Sequence, residues 1–131
     1  MQAEPTTFRD TPCIRLQADG ASALVALHGA HVLSWIPADG RERLFLSERA
    51  TFDGQAAIRG GIPLVFPQFA ERGPLPKHGF ARTTTWTFRG IDDDAALFEL
   101  ADDGTRFAGW PHPFRARLRL HLSATQLAVA L

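Results

Sequence analysis

Between Ala57 and Arg82 the chain interleaves Gly60, Gly61, Gly73 and Gly79 with Pro63, Pro67, Pro74 and Pro76. Proline removes a backbone donor and fixes φ, and glycine inside an element is entropically unfavourable, so the stretch makes neither a good helix nor a central strand. An irregular segment this long within a folded protein is usually functional or disordered. Ile62, Leu64, Val65, Phe66, Phe69 and Phe80 supply apolar surface that can be buried, which favours an ordered loop. The basic and polar residues on it, chiefly Arg59, Gln68, His78 and Arg82, make it the candidate function-bearing segment.

The rest of the composition narrows the classes. At 131 residues the expectation is one domain, residues 1–131, with a real core and no room for a second. Fourteen basic and fourteen acidic residues balance, so no global charge draws the chain to nucleic acid or to a membrane surface. No apolar run approaches a membrane span, and the N-terminal residues lack the apolar stretch of a signal peptide, so a cytoplasmic location is expected. Cys13 is the sole cysteine, which rules out an intrachain disulfide and a cysteine metal cluster.

Outside the loop the pattern reads as strands. Cys13 to Gln17 alternates up to the turn signal Ala18-Asp19-Gly20, and Leu24 to Leu27 and Val32 to Ile36 flank His28-Gly29-Ala30-His31. Leu44 to Leu46, Thr84 to Arg89 and Ala95 to Leu100 are further short strands, with an acidic turn at Ile91 to Asp94. Asp102 to Trp110 is where a helical turn fits. Phe114, Ala116, Leu118, Leu120 and Leu122 alternate with Arg115, Arg117, Arg119 and His121, a two-faced strand, and Leu127 to Leu131 starts a return. Short strands at this spacing predict an all-β antiparallel sandwich or barrel. An apolar strand left open at its edge predicts a fragment, or a chain that pairs with another copy there.

These residues resemble the hexose-6-phosphate mutarotases (glucose-6-phosphate 1-epimerases) of the aldose 1-epimerase superfamily. Gly29-Ala30-His31-Val32-Leu33-Ser34-Trp35 matches an early strand of that family. Ile58-Arg59-Gly60-Gly61-Ile62-Pro63, then Phe66-Pro67-Gln68-Phe69, matches its central loop. Pro76-Lys77-His78-Gly79-Phe80-Ala81-Arg82, with Trp86 after it, matches a further signature, whereas Ala70 stands where the family often has glycine. The resemblance runs from about residue 13 onward and corresponds to the N-terminal half of a typical member. It implies a galactose-mutarotase-like β-sandwich and interconversion of the α and β anomers of a hexose 6-phosphate by acid–base ring opening and closure, with no metal or other cofactor. It also implies an acid histidine and a base glutamate lying in the family's second half, and no residue here is assigned those roles.

By the same resemblance His78 is an active-site histidine that positions or polarises the sugar near its ring oxygen. Imidazole suits that task, since it donates or accepts a hydrogen bond and titrates near neutrality; the alternative is a histidine that caps a turn. Arg59 and Arg82 are the expected phosphate contacts, guanidinium matching phosphate oxygens bidentately, and the glycines after Arg59 offer backbone N–H groups to an anion. Either arginine could instead brace the loop or pair with Glu71 or Asp53. Gln68 either bonds a sugar hydroxyl or satisfies the loop backbone. Lys77 and Arg72 read as rim charges, and His28, His31 and His112 as structural.

Two rival chemistries fall away. Lys77-His78-Gly79 lacks the arginine before the histidine that a histidine phosphatase needs, and His28 and His31 lack the clustered ligands of a cupin-type metal site. The basic stripe of Arg115, Arg117, Arg119 and His121 reads as a solvated strand face. The standing alternatives to the isomerase are a non-catalytic sugar-phosphate-binding half-domain and an inert truncated fragment that pairs with another chain.

Overall fold

The computed structural model describes residues 1–131. Two antiparallel four-stranded meanders carry the fold. The first runs β1 (Gln2–Phe8), β2 (Thr11–Ala18), β3 (Ala21–Ala26) and β4 (His31–Ile36); the second runs β5 (Thr87–Asp92), β6 (Ala95–Asp102), β7 (Phe114–Leu122) and β8 (Leu127–Ala130). The all-β sandwich expected from the alternation is the architecture found.

Alternation places the core. Ile14 and Leu16 of β2, Ala23 and Val25 of β3, and Val32 of β4 face Phe98 and Leu100 of β6 and Leu118, Leu120 and Leu122 of β7 within one cluster of 18 buried residues. Burying each large aliphatic or aromatic side chain stabilises by about 1.5–3 kcal/mol. The opposite face of the first sheet is covered too. Cys13, Ala26 and Leu33 pack with Ile58, and Leu46, Ala50 and Phe52 close over them. Burial raises the Cys13 thiol to about 11, as befits a small apolar core residue.

The outer face of the second sheet is charged. Glu99, only 8% exposed, accepts from Arg89 (Nη2, 3.0 Å) and Arg117 (Nε, 3.1 Å), and Arg115 stands 3.8 Å away. Arg119 pairs with Asp92 at 3.1 Å and His121 with Asp94 at 3.4 Å. The stripe that alternation put on one face of β7 is therefore laced with acidic partners from β6, from the end of β5 and from the β5–β6 turn.

Several expectations need correction. Leu44 to Leu46 is not a strand: Leu46 makes an isolated bridge to Gly60. The strand expected at Thr84 to Arg89 is β5, Thr87–Asp92, because Thr85 bridges His28 and the Trp86 N–H donates to the Leu27 carbonyl (2.8 Å), which ties those residues to the first sheet. Its turn is confined to Asp93 and Asp94, both with positive φ. No helical turn forms between Asp102 and Trp110; bends lead into a turn in which the Trp110 N–H donates to the Phe107 carbonyl (3.1 Å) with Gly109 at positive φ, and Phe107 stacks on Phe80 with ring centroids 3.7 Å apart. β1 was not anticipated.

Candidate functional site

The long connection from β4 to β5 folds against the first sheet because its glycines allow backbone to touch backbone. A Cβ on Gly61 (φ +60) would lie 2.1 Å from the Val32 carbonyl oxygen, and one on Gly60 (φ +102) 2.5 Å from that of Phe45. Val32 bridges Ile62, and the Gly61 N–H donates to the Phe45 carbonyl at 2.7 Å. These glycines thus serve close packing, and the Gly61 N–H expected to face an anion is already taken. Arg59, just before them, is exposed and forms no side-chain hydrogen bond or ion pair, so its guanidinium is open to an anion.

Further along, Phe66 bridges Gly79 in parallel, and the Phe66 carbonyl accepts from the N–H groups of Phe80 and Ala81, both at 3.1 Å. A Cβ on Gly79 (φ +74) would sit 2.3 Å from that oxygen, so the close approach Gly79 permits is to the chain's own backbone. Phe80 drops into an aromatic cluster with Phe66, Phe107 and Phe114, which anchors the residue after His78 and Gly79 in the sandwich. A 3₁₀ turn follows at Ala81–Thr83. Buried Trp86 donates its indole N–H to the Ala81 carbonyl (2.9 Å), which explains why a tryptophan belongs to this segment.

His78 is half-buried in the left-handed region (φ +65). Its Nδ1 accepts the backbone N–H of Ala70 at 3.0 Å, and its own N–H donates to the Ala70 carbonyl at 2.9 Å. A backbone N–H only donates, so in this arrangement Nδ1 carries the lone pair and the proton of the neutral ring resides on Nε2. That Nε2–H makes no bond within the protein. Phe69 lies edge-on to the imidazole, centroids 5.6 Å apart, and is 65% exposed.

Gln68 is buried at 6% exposure. Its Nε2 donates to the carbonyls of Ala70 (2.8 Å) and Leu75 (3.0 Å), and its Oε1 accepts from the Leu75 N–H (2.9 Å). Of its two expected roles, the geometry supplies the one within the loop backbone. Arg82 donates from Nη2 to the Lys77 carbonyl (3.1 Å), so it too braces the loop, while its buried Nε–H has no acceptor. Neither arginine pairs with Glu71 or Asp53; Asp53 instead accepts from the N–H groups of Gln55 and Ala56, both at 2.9 Å.

The remaining histidines are held apart. His28 Nε2 donates to the Ala56 carbonyl (2.8 Å) and His31 Nε2 to the Gly60 carbonyl (2.5 Å). Full burial holds the His31 imidazolium below its ordinary 6.5. No three His, Cys, Asp or Glu side chains converge on a point where a metal ion would sit. Two concavities of about 630 and 260 Å³ lie elsewhere, one at the end of the sandwich near Gln17, Ser22 and His121, the other beside His28 and Asp53; neither is lined by Arg59, His78 or Arg82. On this connection Arg59 is exposed and His78 and Arg82 are half-buried. Phe69, counted among the apolar residues that can be buried, is 65% exposed, beside a Gln68 whose amide is turned inward.

A sandwich of two antiparallel sheets with a histidine- and arginine-bearing loop laid across one of them is the galactose-mutarotase-like class. The family model for aldose 1-epimerase matches residues 12–131, and the chain belongs to that family. It is 44% identical over 99 residues to a candidate glucose-6-phosphate 1-epimerase of Escherichia coli (strain K12), covering 70% of this chain and 33% of the relative. A counterpart from Cenchrus ciliaris is 40% identical over 119 residues, covering 80% and 35%. Among solved structures, a candidate mutarotase from Salmonella typhimurium superposes with a TM-score of 0.77 at 34% identity, over 90% of this chain and 42% of that one. A galactose mutarotase-like protein from Lactobacillus casei shares the fold at TM-score 0.71 and 19% identity, over 89% and 42%. The chain spans about a third of the length of the curated relatives it matches. No helix is long and apolar enough to cross a membrane.

Proposed function

We propose that this chain supplies the sugar-phosphate-facing loop of a cytoplasmic glucose-6-phosphate 1-epimerase, an isomerase interconverting the α and β anomers of a hexose 6-phosphate. The observation that carries the reading is the hydrogen bond from the Ala70 N–H to His78 Nδ1 at 3.0 Å. With Nδ1 occupied by the Ala70 N–H, the ring presents one fixed donor, Nε2–H, to whatever lies over the loop. Such a donor polarises the ring oxygen of a pyranose and favours cleavage of the bond from that oxygen to the anomeric carbon, provided an acid and a base complete the proton transfers.

Arg59, free of any carboxylate, and half-buried Arg82, whose Nη2 also bonds the Lys77 carbonyl, are the phosphate contacts in this reading. Gln68 enters it as the brace that holds the loop presenting His78. One observation favours a second reading, a sugar-phosphate-binding module without turnover: no carboxylate pairs with His78, Arg59 or Arg82, so the constellation offers donors and no base. Self-association fits either reading, along the free edge of β8, which pairs with β7 alone; sedimentation would give the oligomeric state.

Two-dimensional exchange NMR on glucose 6-phosphate, following the two anomeric protons, tests both. Exchange faster than in buffer, abolished in His78→Ala, is the expected result for the isomerase. Buffer-rate exchange with phosphate-dependent broadening of the sugar signals would leave the binding module, and neither effect would refute both.

A further inference from the structure

We propose that Phe69 is the apolar wall of the sugar site, a platform on which the C–H face of the pyranose stacks while His78 donates to its ring oxygen. The inference rests on the reading of the loop as a sugar-phosphate surface and specifies how that surface tells a sugar phosphate from phosphate alone.

Four observations carry it. Phe69 is 65% exposed although it sits in a segment whose other aromatic rings, Phe66 and Phe80, are packed into the sandwich. Its exposure is imposed by its neighbours: Gln68 points inward with its amide bonded to the loop, and Ala70 is clamped to His78 through both of its backbone polar groups. A large aromatic held at the surface by a rigid frame leaves apolar area in water that the fold gains nothing by exposing. The ring is also next to the residue that carries the free Nε2–H donor, centroid to centroid 5.6 Å from the His78 imidazole.

The chemistry of a gluco-configured pyranose fits that pair. Its hydroxyls are mostly equatorial, so each ring face is made largely of axial C–H bonds, whose positive hydrogens suit the negative face of an aromatic π-system. The same sugar carries its ring oxygen at the edge, within reach of a donor beside the aromatic ring. Inorganic phosphate has no C–H face and gains nothing from Phe69; its contacts in this site are arginines.

The test is binding of glucose 6-phosphate and of inorganic phosphate to the 131-residue chain and to Phe69→Ala and Phe69→Trp, followed by amide chemical shifts. The Ala70 amide reports whether the His78 clamp is intact in each variant. For a stacking contact, Phe69→Ala weakens glucose 6-phosphate about three- to ten-fold with phosphate affinity unchanged, and Phe69→Trp retains the sugar phosphate and changes its indole fluorescence on binding. Equal loss of both ligands, or no loss of either, overturns the wall. If glucose 6-phosphate binds the unaltered chain no more tightly than phosphate does, the wall is likewise overturned while an anion site stands. Binding of neither ligand overturns the sugar-phosphate reading itself.

Discussion

Residue 78 takes up both backbone polar groups of residue 70: the His78 N–H donates to the Ala70 carbonyl at 2.9 Å, and the Ala70 N–H donates to His78 Nδ1 at 3.0 Å. Ala70 meets this clamp with φ at +50, the left-handed region where a Cβ is strained. The position is glycine-like in conformation while its side chain is a methyl group. Ala70→Gly is therefore expected to stabilise the chain by about 0.5–1 kcal/mol, read as a higher urea midpoint with an unchanged slope. A lower midpoint would mean that the loop does not hold residue 70 in that conformation.

How much of this was legible from the amino acids differs by element. β7 follows directly from alternation, since every second residue from Phe114 to Leu122 is apolar and those face inward, Leu118, Leu120 and Leu122 buried and Phe114 and Ala116 half-buried. β1 gave no such signal: Pro5 interrupts Gln2–Phe8, and none of its residues is buried. It is tolerated because β1 is an edge strand paired with β2 alone. The loop motif announced His78 and Arg59 as polar groups on irregular backbone. It did not announce that Gln68 points inward, because the bonds that turn it come from Ala70 and Leu75 in three dimensions.

Gln68→Ala should uncouple the loop more than the sandwich. It leaves the Leu75 N–H without its partner and opens a polar gap beneath residues 69–77, each unsatisfied buried group costing about 1–3 kcal/mol. Limited proteolysis is expected to cut this variant between Phe69 and Lys77 while the two sheets resist. An unchanged digestion pattern would show that the amide is dispensable to the loop.

Stability should fall as pH drops from 7 to 5. His31 is fully buried and its folded-state pKa lies below the ordinary 6.5, so on acidification the unfolded chain takes up a proton that the folded chain refuses. The loss begins as pH falls through 6.5 and continues toward the lower folded value. The clamped carboxylates, Glu42 and Asp53 among them, contribute losses only below their own lower ordinary values. His31→Gln removes this titration, and its urea midpoint should change less between pH 7 and 5 than that of the parent. Identical slopes would assign the effect elsewhere.

Glu99 holds its proton less tightly than an ordinary glutamate because Arg117 and Arg89 bond to it directly. Glu99→Gln should leave Arg89, Arg115 and Arg117 repelling one another across β5, β6 and β7 and lower the urea midpoint at low salt. Raising the salt to about 0.5 M screens that repulsion and should narrow the gap to the parent. A gap independent of salt would point to lost packing.

The bridge between Phe66 and Gly79 has a consequence for how such a surface can diverge. It closes the intervening residues into a compact Ω-like excursion, stitched internally by Gln68 and anchored by Phe80. Its tip, Glu71 through Pro74, is exposed. The excursion is thus a cassette: Glu71 and Arg72 can be exchanged without disturbing either meander, whereas a Cβ on Gly73 would lie 2.4 Å from the bracing Gln68 Oε1, and selectivity can drift while the imidazole stays where the frame puts it.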